Sequence, residues 1–287
     1  MAFSPDYRSY KEGEWKLWVR HAKWTEQLWR KVVAAIEAQP YSRHPQTLQL
    51  HSPHENNGEV LYLKLFHGSV GLRKLRDIFR LSKAVRSARQ AAALAECNFH
   101  VPIPVAAGEN RKYRALRKAF VLMAEVEGQS LPVLLREQQG LAGSGISRRE
   151  KRLALAGLAA ELRRLHALGF VHGDLVATNI FVSRTAQRES RFIFMDNDRT
   201  RRYPKWLPQR LWRRNLVQLN RMPLPGITLQ DRVRFLAHYL QTDEWGPKER
   251  RLLSWLERKT RQRRRECDAV DSRGSFRQLM RWDGTLA

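Results

Sequence analysis

The sequence is poor in cysteine, in acidic residues and in long apolar runs. Cys97 and Cys267 are its two cysteines, which excludes a disulfide framework and makes a reducing compartment the simpler expectation. No uninterrupted run approaches the roughly 18 apolar residues of a membrane span. The start, MAFSPDYRSYKEGEWK, has no apolar core of the kind that a signal peptide needs. These absences together predict a cytosolic protein.

Positive charge is abundant instead. Lys and Arg number 53 against 28 Asp and Glu, so the 287-residue chain carries a formal net charge of +25. An excess of this size indicates an anionic partner, which can be nucleic acid, an anionic membrane surface or a phosphorylated substrate. Hydrophobic residues make up 43% of the chain, enough for one large domain or two lobes that share a core.

The order of patterns along the chain predicts a β-rich half followed by a helical half. We expect a basic, Trp-rich extension at 1–45, a β-rich lobe at 46–126 and a helical lobe with basic C-terminal helices at 127–287. TLQLH and EVLYLKLF, separated by a turn, are typical of a hairpin. Alternation places Leu61, Leu63 and Leu65 on one face and Lys64 on the other. Further on, the capping box SRRE begins a long helix that ends at Gly169.

Four polar residues in this order fit one chemistry. Lys64 lies on a strand, Asp174 and Asn179 lie in a loop after the long helix, and Asp196 ends the apolar strand RFIFMD. Phosphoryl transfer from a magnesium nucleotide needs a lysine for the phosphates, a carboxylate that accepts the hydroxyl proton, and oxygen ligands for Mg²⁺. The five-residue spacing from Asp174 to Asn179 equals that of the kinase catalytic loop H-R-D-x-x-x-x-N. The combination predicts an ATP-dependent phosphotransferase.

The segments VHGDLVATNIFV, FIFMDNDRTRR, LYLKLFHG and HVPIPVAAGE resemble the Kdo/WaaP-type lipopolysaccharide kinases over roughly residues 47–240. RRNLVQLNR is similar to the helical C-terminal region of that family. The resemblance implies an α+β, two-lobed protein-kinase-like fold. It also implies ATP-dependent phosphorylation of an inner-core sugar of lipopolysaccharide, Kdo or heptose, at the cytoplasmic face of the inner membrane.

The resemblance also implies a role for each matching residue. Lys64 would bind the phosphates of ATP, and Asp174 would be the catalytic base. Asn179 and Asp196 would be the ligands of Mg²⁺.

Five further residues fall at supporting positions of the family pattern. Ala124 and Val126 would offer backbone groups to adenine in the connection between the lobes. His172 would be a structural histidine that donates to the backbone. Asp198 and Arg199 match a D-x-D-R pattern that the family often shows, with no role assigned.

The sequence departs from the protein-kinase pattern at several positions. No G-x-G-x-x-G loop precedes Lys64, and Gln90 stands where a helical glutamate is expected to pair with the lysine. Gly173 replaces the arginine that regulated protein kinases use to bind an activation-loop phosphate, and no A-P-E segment follows. Gly173 and the missing A-P-E segment favour a constitutive small-molecule or glycan kinase over a regulated protein kinase.

The basic surplus fits an anionic, membrane-anchored acceptor. RYPKWLPQRLWRRNL and RLLSWLERKTRQRRRE interleave Trp and Leu with Arg and Lys, as interfacial helices do. We expect lipopolysaccharide core or a lipid-linked precursor as the partner, and peripheral binding to an anionic membrane surface. The alternative is that Trp206, Trp212 and Trp255 are core residues beside solvated arginines.

Two other functions stay open at this point. One is a RIO- or aminoglycoside-type kinase that acts on a protein or a small metabolite, because HGD-x-x-x-x-N is shared with those families. The other is a pseudokinase whose basic surface docks nucleic acid, which the missing glycine loop and Gln90 favour. The retained Asp174, Asn179 and Asp196, and the lack of RRM- or OB-like grouping of aromatics, disfavour nucleic acid.

Overall fold

The structure, a computed structural model, describes residues 6–52, 59–69, 77–136, 147–184, 190–204, 211–221, 224 and 226–279, with side chains up to residue 268. The chain divides into two compact units. The first comprises Met1–Gln129 and Asn179–Arg201, and the second comprises Ser130–Thr178 and Arg202–Ala287.

A six-stranded antiparallel sheet forms the frame of the first unit. Its strands are β1 (Tyr7–Glu12), β2 (Trp15–Arg20), β3 (Gln46–His51), β4 (Val60–His67), β5 (Pro104–Lys112) and β6 (Ala115–Ala124). They are ordered β1-β2-β5-β6-β4-β3. The predicted hairpin is confirmed, because β3 pairs with β4 and Leu48 lies opposite Leu63.

Among the described residues, a helix packs against each face of this sheet. On one face, the predicted stripe Leu61, Leu63 and Leu65 packs against helix α1 (Glu26–Glu37), whose buried residues are Leu28, Trp29, Val32 and Ile36. On the other face, Phe66 packs against helix α2 (Lys83–Glu96) through small residues such as Ala84 and Ala88. Side chains alternate along a strand, so Lys64 lies on the α2 face with Phe66.

The boundary expected at residue 45 does not coincide with a boundary in the structure. Strand β2 pairs with β5, with Trp18 opposite Ala107, so the first strands are part of the same sheet. The rings of Trp15 and Trp29 lie 5.5 and 6.2 Å from that of Phe120. The Trp-rich N-terminal segment is therefore part of the core of the first unit.

A second hairpin, assigned to the helical lobe from sequence, also belongs to the first unit. Strand β9 (Ile180–Arg184) pairs antiparallel with β10 (Ser190–Phe194). The backbone N–H of Phe194 donates to the carbonyl of His100 at 3.0 Å. This bond joins the hairpin to the segment that follows α2.

The second unit is helical. Its helices are α3 (Leu131–Arg136), α4 (Arg148–Ala167), α5 (Trp212–Asn220), α6 (Leu229–Leu240) and α7 (Pro247–Leu279). The described part of the chain also contains the two-residue strands β7 (Gln129–Ser130), β8 (Phe170–Val171) and β11 (Arg201–Arg202). Over the described ranges, none of the helices combines the length and the apolar character that a membrane crossing requires.

The predicted ends of α4 are confirmed. Ser147 and Glu150 form the capping box at its start. Gly169 follows its end with φ of +84°, and a Cβ there would lie 2.3 Å from the carbonyl oxygen of Tyr203. Only glycine fits this backbone conformation beside so close a neighbour. The turn leads directly through β8 into the polar stretch of HGDLVATN.

Candidate active site

Lys64 lies in the middle of strand β4, next to the edge strand β3 of the sheet of the first unit. It sits on β4, opposite Thr47 of β3 and Val121 of β6. Its side chain is 22% exposed and its ammonium forms an ion pair with the carboxylate of Asp196. A charged group among apolar neighbours is unfavourable unless it is paired. The pair therefore explains why an apolar strand carries a lysine.

Asp196 has a left-handed backbone conformation at the end of β10. Its φ and ψ are 53° and 55°. Few residues other than glycine adopt this conformation, and those that do are often found at functional sites. The turn after it, the 3-10 helix Asn197–Arg199, is held by the buried Asn197, whose Nδ2 donates to the carbonyl of Phe194 at 2.8 Å. The Asp196 side chain remains 49% exposed. It can therefore accept from Lys64 and still take a cation.

Asn179 lies next to Asp196 at the same end of the β9–β10 hairpin. Ile180 is opposite Phe194 in the ladder, and the carbonyl of Asn179 accepts from the N–H of Met195 at 2.9 Å. Among the residues that the structure describes, no group of three His, Cys, Asp or Glu side chains could hold a metal. An amide with a carboxylate is the small oxygen set that Mg²⁺ takes in sites where substrate phosphates and waters complete its shell.

The loop around Asp174 belongs to the second unit. His172 is 1% exposed, and its Nδ1 accepts a hydrogen bond from the backbone N–H of Asp174 at 3.2 Å. The ring proton therefore lies on Nε2 and the imidazole is neutral. At Nδ1 the histidine accepts from the backbone. The contact orients the loop at Asp174.

Two residues that the sequence analysis did not single out hold this loop from α5. Asn215, 1% exposed, accepts from the N–H of His172 at 3.0 Å and donates to its carbonyl. Gln218 donates to the carbonyl of Gly173 at 3.0 Å and accepts from the N–H of Leu175 at 3.3 Å. The signal in RRNLVQLN is an Asn and a Gln spaced three apart, which places both on one helical face.

Gln90 is not the partner of Lys64 in this structure. The ammonium of Lys64 bonds to Asp196, and the buried Oε1 of Gln90 has no hydrogen-bond partner within the described ranges. Helix α2 nevertheless packs against the turn Asn197–Arg199. Within the same described ranges, Asp198 and Arg199 form no ion pair.

The two residues expected to bind adenine differ in whether their backbone N–H groups are already hydrogen-bonded. The N–H of Ala124 donates to the carbonyl of Ile103 at 3.1 Å, and the N–H of Glu125 donates to that of Val60 at 3.0 Å. The N–H of Val126 has no partner among the described residues. Val126 thus remains the candidate donor to a base, whereas the amide of Ala124 is already engaged.

Comparison with known proteins now adds to this geometry. A model of the Lipopolysaccharide kinase (Kdo/WaaP) family matches residues 26–239. The chain belongs to that family. Membership makes the protein an ATP-dependent phosphotransferase of lipopolysaccharide biosynthesis and disfavours the RIO-type, aminoglycoside-type and nucleic-acid-binding alternatives.

A solved structure of WaaP in complex with acyl carrier protein is similar in fold. The TM-score is 0.56 at 22% identity, with 83% of this chain and 95% of that chain covered. The likeness confirms the α+β, protein-kinase-like fold expected from the sequence. A search of curated proteins finds no match.

Proposed function

We propose that this lipopolysaccharide kinase phosphorylates an inner-core sugar, Kdo or heptose, at the cytoplasmic face of the inner membrane. The observation that carries the proposal is the Lys64–Asp196 pair, with Asp196 in a left-handed turn beside Asn179. A lysine and a half-exposed carboxylate on rigid elements suit a polyphosphate and its counterion.

Asp174 acts on the acceptor. Its carboxylate orients a sugar hydroxyl and takes its proton as the hydroxyl oxygen bonds to the γ-phosphorus and the bond to the ADP oxygen breaks. Phosphoryl transfer has a loose transition state, so the base contributes mainly by orientation. The hydrogen bonds that Asn215 and Gln218 make to the loop fix that orientation.

Asn179 and Asp196 would hold Mg²⁺, which when bound neutralises charge on the phosphates. Lys64, on strand β4, binds the phosphates of ATP through its ammonium group. The ion pair between its ammonium and the carboxylate of Asp196 supports this role. Val126 donates its free N–H to the nucleotide base.

Basic side chains contact the anionic acceptor and the membrane surface. Arg214, Arg258 and Arg265 are exposed. Each basic residue near an anionic surface contributes about 1 kcal/mol to binding. Trp212 and Trp255 are half-buried, and the guanidinium of Arg213 lies 5.5 and 5.7 Å from their rings. Trp206 lies outside the described residues. The charges on these segments therefore support the membrane proposal more than the indoles do.

The test is transfer of phosphate from ATP to purified core oligosaccharide and to a lipid-linked precursor, with the product mapped by mass spectrometry. Phosphate on Kdo or heptose is the expected result. Phosphate on neither sugar, with transfer to a soluble metabolite instead, would contradict the proposed acceptor.

A magnesium series tests the assigned ligands. Asn179→Ala should lose turnover that raised Mg²⁺ partly restores, because one ligand of a weak site is missing. Asp196→Ala should be affected more severely, since a charged ligand is lost. Asp243→Ala, an exposed acid of the second unit, is the matched control and should follow the wild-type Mg²⁺ curve.

A further inference from the structure

A polar cavity of about 890 Å³ lies in the first unit, outside the site described above. Its walls come from the segment before β3, the end of β4 and the start of α2. The volume lies within the range of small-molecule sites, about 300–1,000 Å³. Neither Lys64 nor Asp196 lines it.

Four cationic side chains line this cavity against one acidic side chain. The cations are Arg43, Arg80, Lys83 and Arg86, and the acid is Asp77. None of the four forms an ion pair within the described ranges. The carboxylate of Asp77 accepts from the N–H of Ser69 at 3.1 Å. The wall thus carries a net positive charge that the described part of the protein does not neutralise.

The start of α2 concentrates this charge where a helix disfavours it. The positive end of the helix dipole is at the N-terminus, where acidic residues are stabilising. The first turn of α2 has no acid and begins with Lys83. Glu109, the buried carboxylate nearby, accepts from the N–H of Ser82 at 2.6 Å and from Arg111 at 2.7 Å. Its charge is therefore already paired with Arg111.

The other wall is held in place by His67. Its Nδ1 accepts from the N–H of Ser42 at 3.5 Å, and its ring lies 5.2 Å from that of Tyr41. The Nε2 atom is buried with no partner among the described residues, as is the Nε of Arg86. The segment with Arg43 is thereby fixed beside the end of β4.

We propose that this cavity binds a phosphate group carried on a molecule of about sugar size. Unpaired guanidinium and ammonium groups suit a phosphate, whose negative charge would also complement the positive end of the α2 dipole. Apolar wall residues, Phe66, Leu81 and Leu116, suit the rest of such a molecule. The inference does not depend on the kinase reaction, because binding is measured without transfer.

Titration calorimetry of the full chain at low ionic strength tests it, with glucose 6-phosphate, inorganic phosphate and glucose as probes. The double variant Arg43→Gln/Lys83→Gln removes two exposed positive charges. One of them, at Lys83, is unfavourable at the N-terminus of α2, so the variant should fold. We expect its affinity for glucose 6-phosphate to fall at least tenfold. Glucose should not bind. Tighter binding of glucose 6-phosphate than of inorganic phosphate supports a carried phosphate group, and equal binding of the two would overturn that part of the proposal.

Two controls separate this site from general charge and from the active site. Arg8→Gln/Lys11→Gln removes the same charge from β1, at the opposite edge of the sheet, and should bind like the wild type. Lys64→Met should also retain binding. Equal loss in the β1 variant, loss in the Lys64 variant, or equal binding of glucose would each overturn the proposal.

Discussion

Asn215 connects the helical core to the loop of Asp174. Its side chain bonds both backbone groups of His172, and its Oδ1 also lies 3.0 Å from Nε2 of His166. Its Nδ2 also donates to Oε1 of Gln218 at 2.9 Å. A buried amide that satisfies four partners is costly to remove, about 1–3 kcal/mol for each group left unsatisfied. Asn215 acts on the reaction through the loop and does not touch the reacting atoms.

Asn215→Ala should lower kcat about tenfold or more with little change in the KM for ATP, because it disturbs the base and not the lysine or metal ligands. Steady-state kinetics on folded protein, verified by circular dichroism, measures the effect. Asn220→Ala on the same helix, whose side chain contacts Thr260, is the control. A rise in the ATP KM with unchanged kcat would contradict the positioning role.

Helix α4 contributes a buried histidine whose protonation opposes folding. Burial lowers the pKa of His166 to about 4, although its hydrogen bond with Asn215 acts in the opposite direction. Nδ1 lies 2.8 Å from the hydroxyl of Tyr239. Burial raises the pKa of that phenol, so the hydroxyl donates and the imidazole stays neutral. The hydrogen bonds that link Tyr239 of α6, His166 of α4 and Asn215 of α5 require the neutral imidazole.

The unfolded chain binds a proton at this histidine near pH 6.5, whereas the folded chain binds it only near pH 4. Stability from the neutral form is therefore present above pH 6.5 and lost as the pH falls from 6.5 towards 4, by about 3 kcal/mol. Urea unfolding across this window measures it. His166→Gln should show a flatter slope than the wild type. An equally steep slope in the variant would assign the effect to other groups.

The elements differ in how far the sequence predicts them. The β3–β4 hairpin and the ends of α4 follow from local alternation and capping. The pairing of β2 with β5 joins Trp18 to Ala107, and no local pattern in either segment specifies a partner so distant. The order of the motifs along the chain is enough to predict that Lys64 lies close to Asp196. The role of Asn215 could not be predicted, because it binds backbone 43 residues away, and backbone groups leave no signature in the sequence.

The net charge of +25 of the full chain is the basis of the proposed binding to an anionic surface. The exposed bases Arg214, Arg258 and Arg265 of the second unit are the candidates for a membrane surface. Arg213 is not, since it lies against Trp212 and Trp255 and its buried Nε has no partner among the described residues. Charge reversal at Arg213 would therefore test packing as much as charge.

Reversal of Arg214, Arg258 and Arg265 to Glu should weaken binding to anionic vesicles by at least about 100-fold at low salt, since each basic residue contributes about 1 kcal/mol and each new glutamate is repelled. High salt should weaken the wild type similarly. Cosedimentation measures both effects, with Arg8, Lys11 and Lys16 reversed as the matched control. Unchanged sedimentation under both treatments would remove the membrane from the account.

The central claim is that the acid in HGDLVATN orients and deprotonates an acceptor hydroxyl. The most direct test is turnover of Asp174→Asn with ATP and core oligosaccharide, beside Asp243→Asn as the matched control. The variant keeps the size of the side chain and loses its negative charge. Turnover should fall about 10²- to 10⁴-fold, with ATP binding retained by calorimetry and the control unaffected. Full turnover in Asp174→Asn would show that Asp174 is not the base.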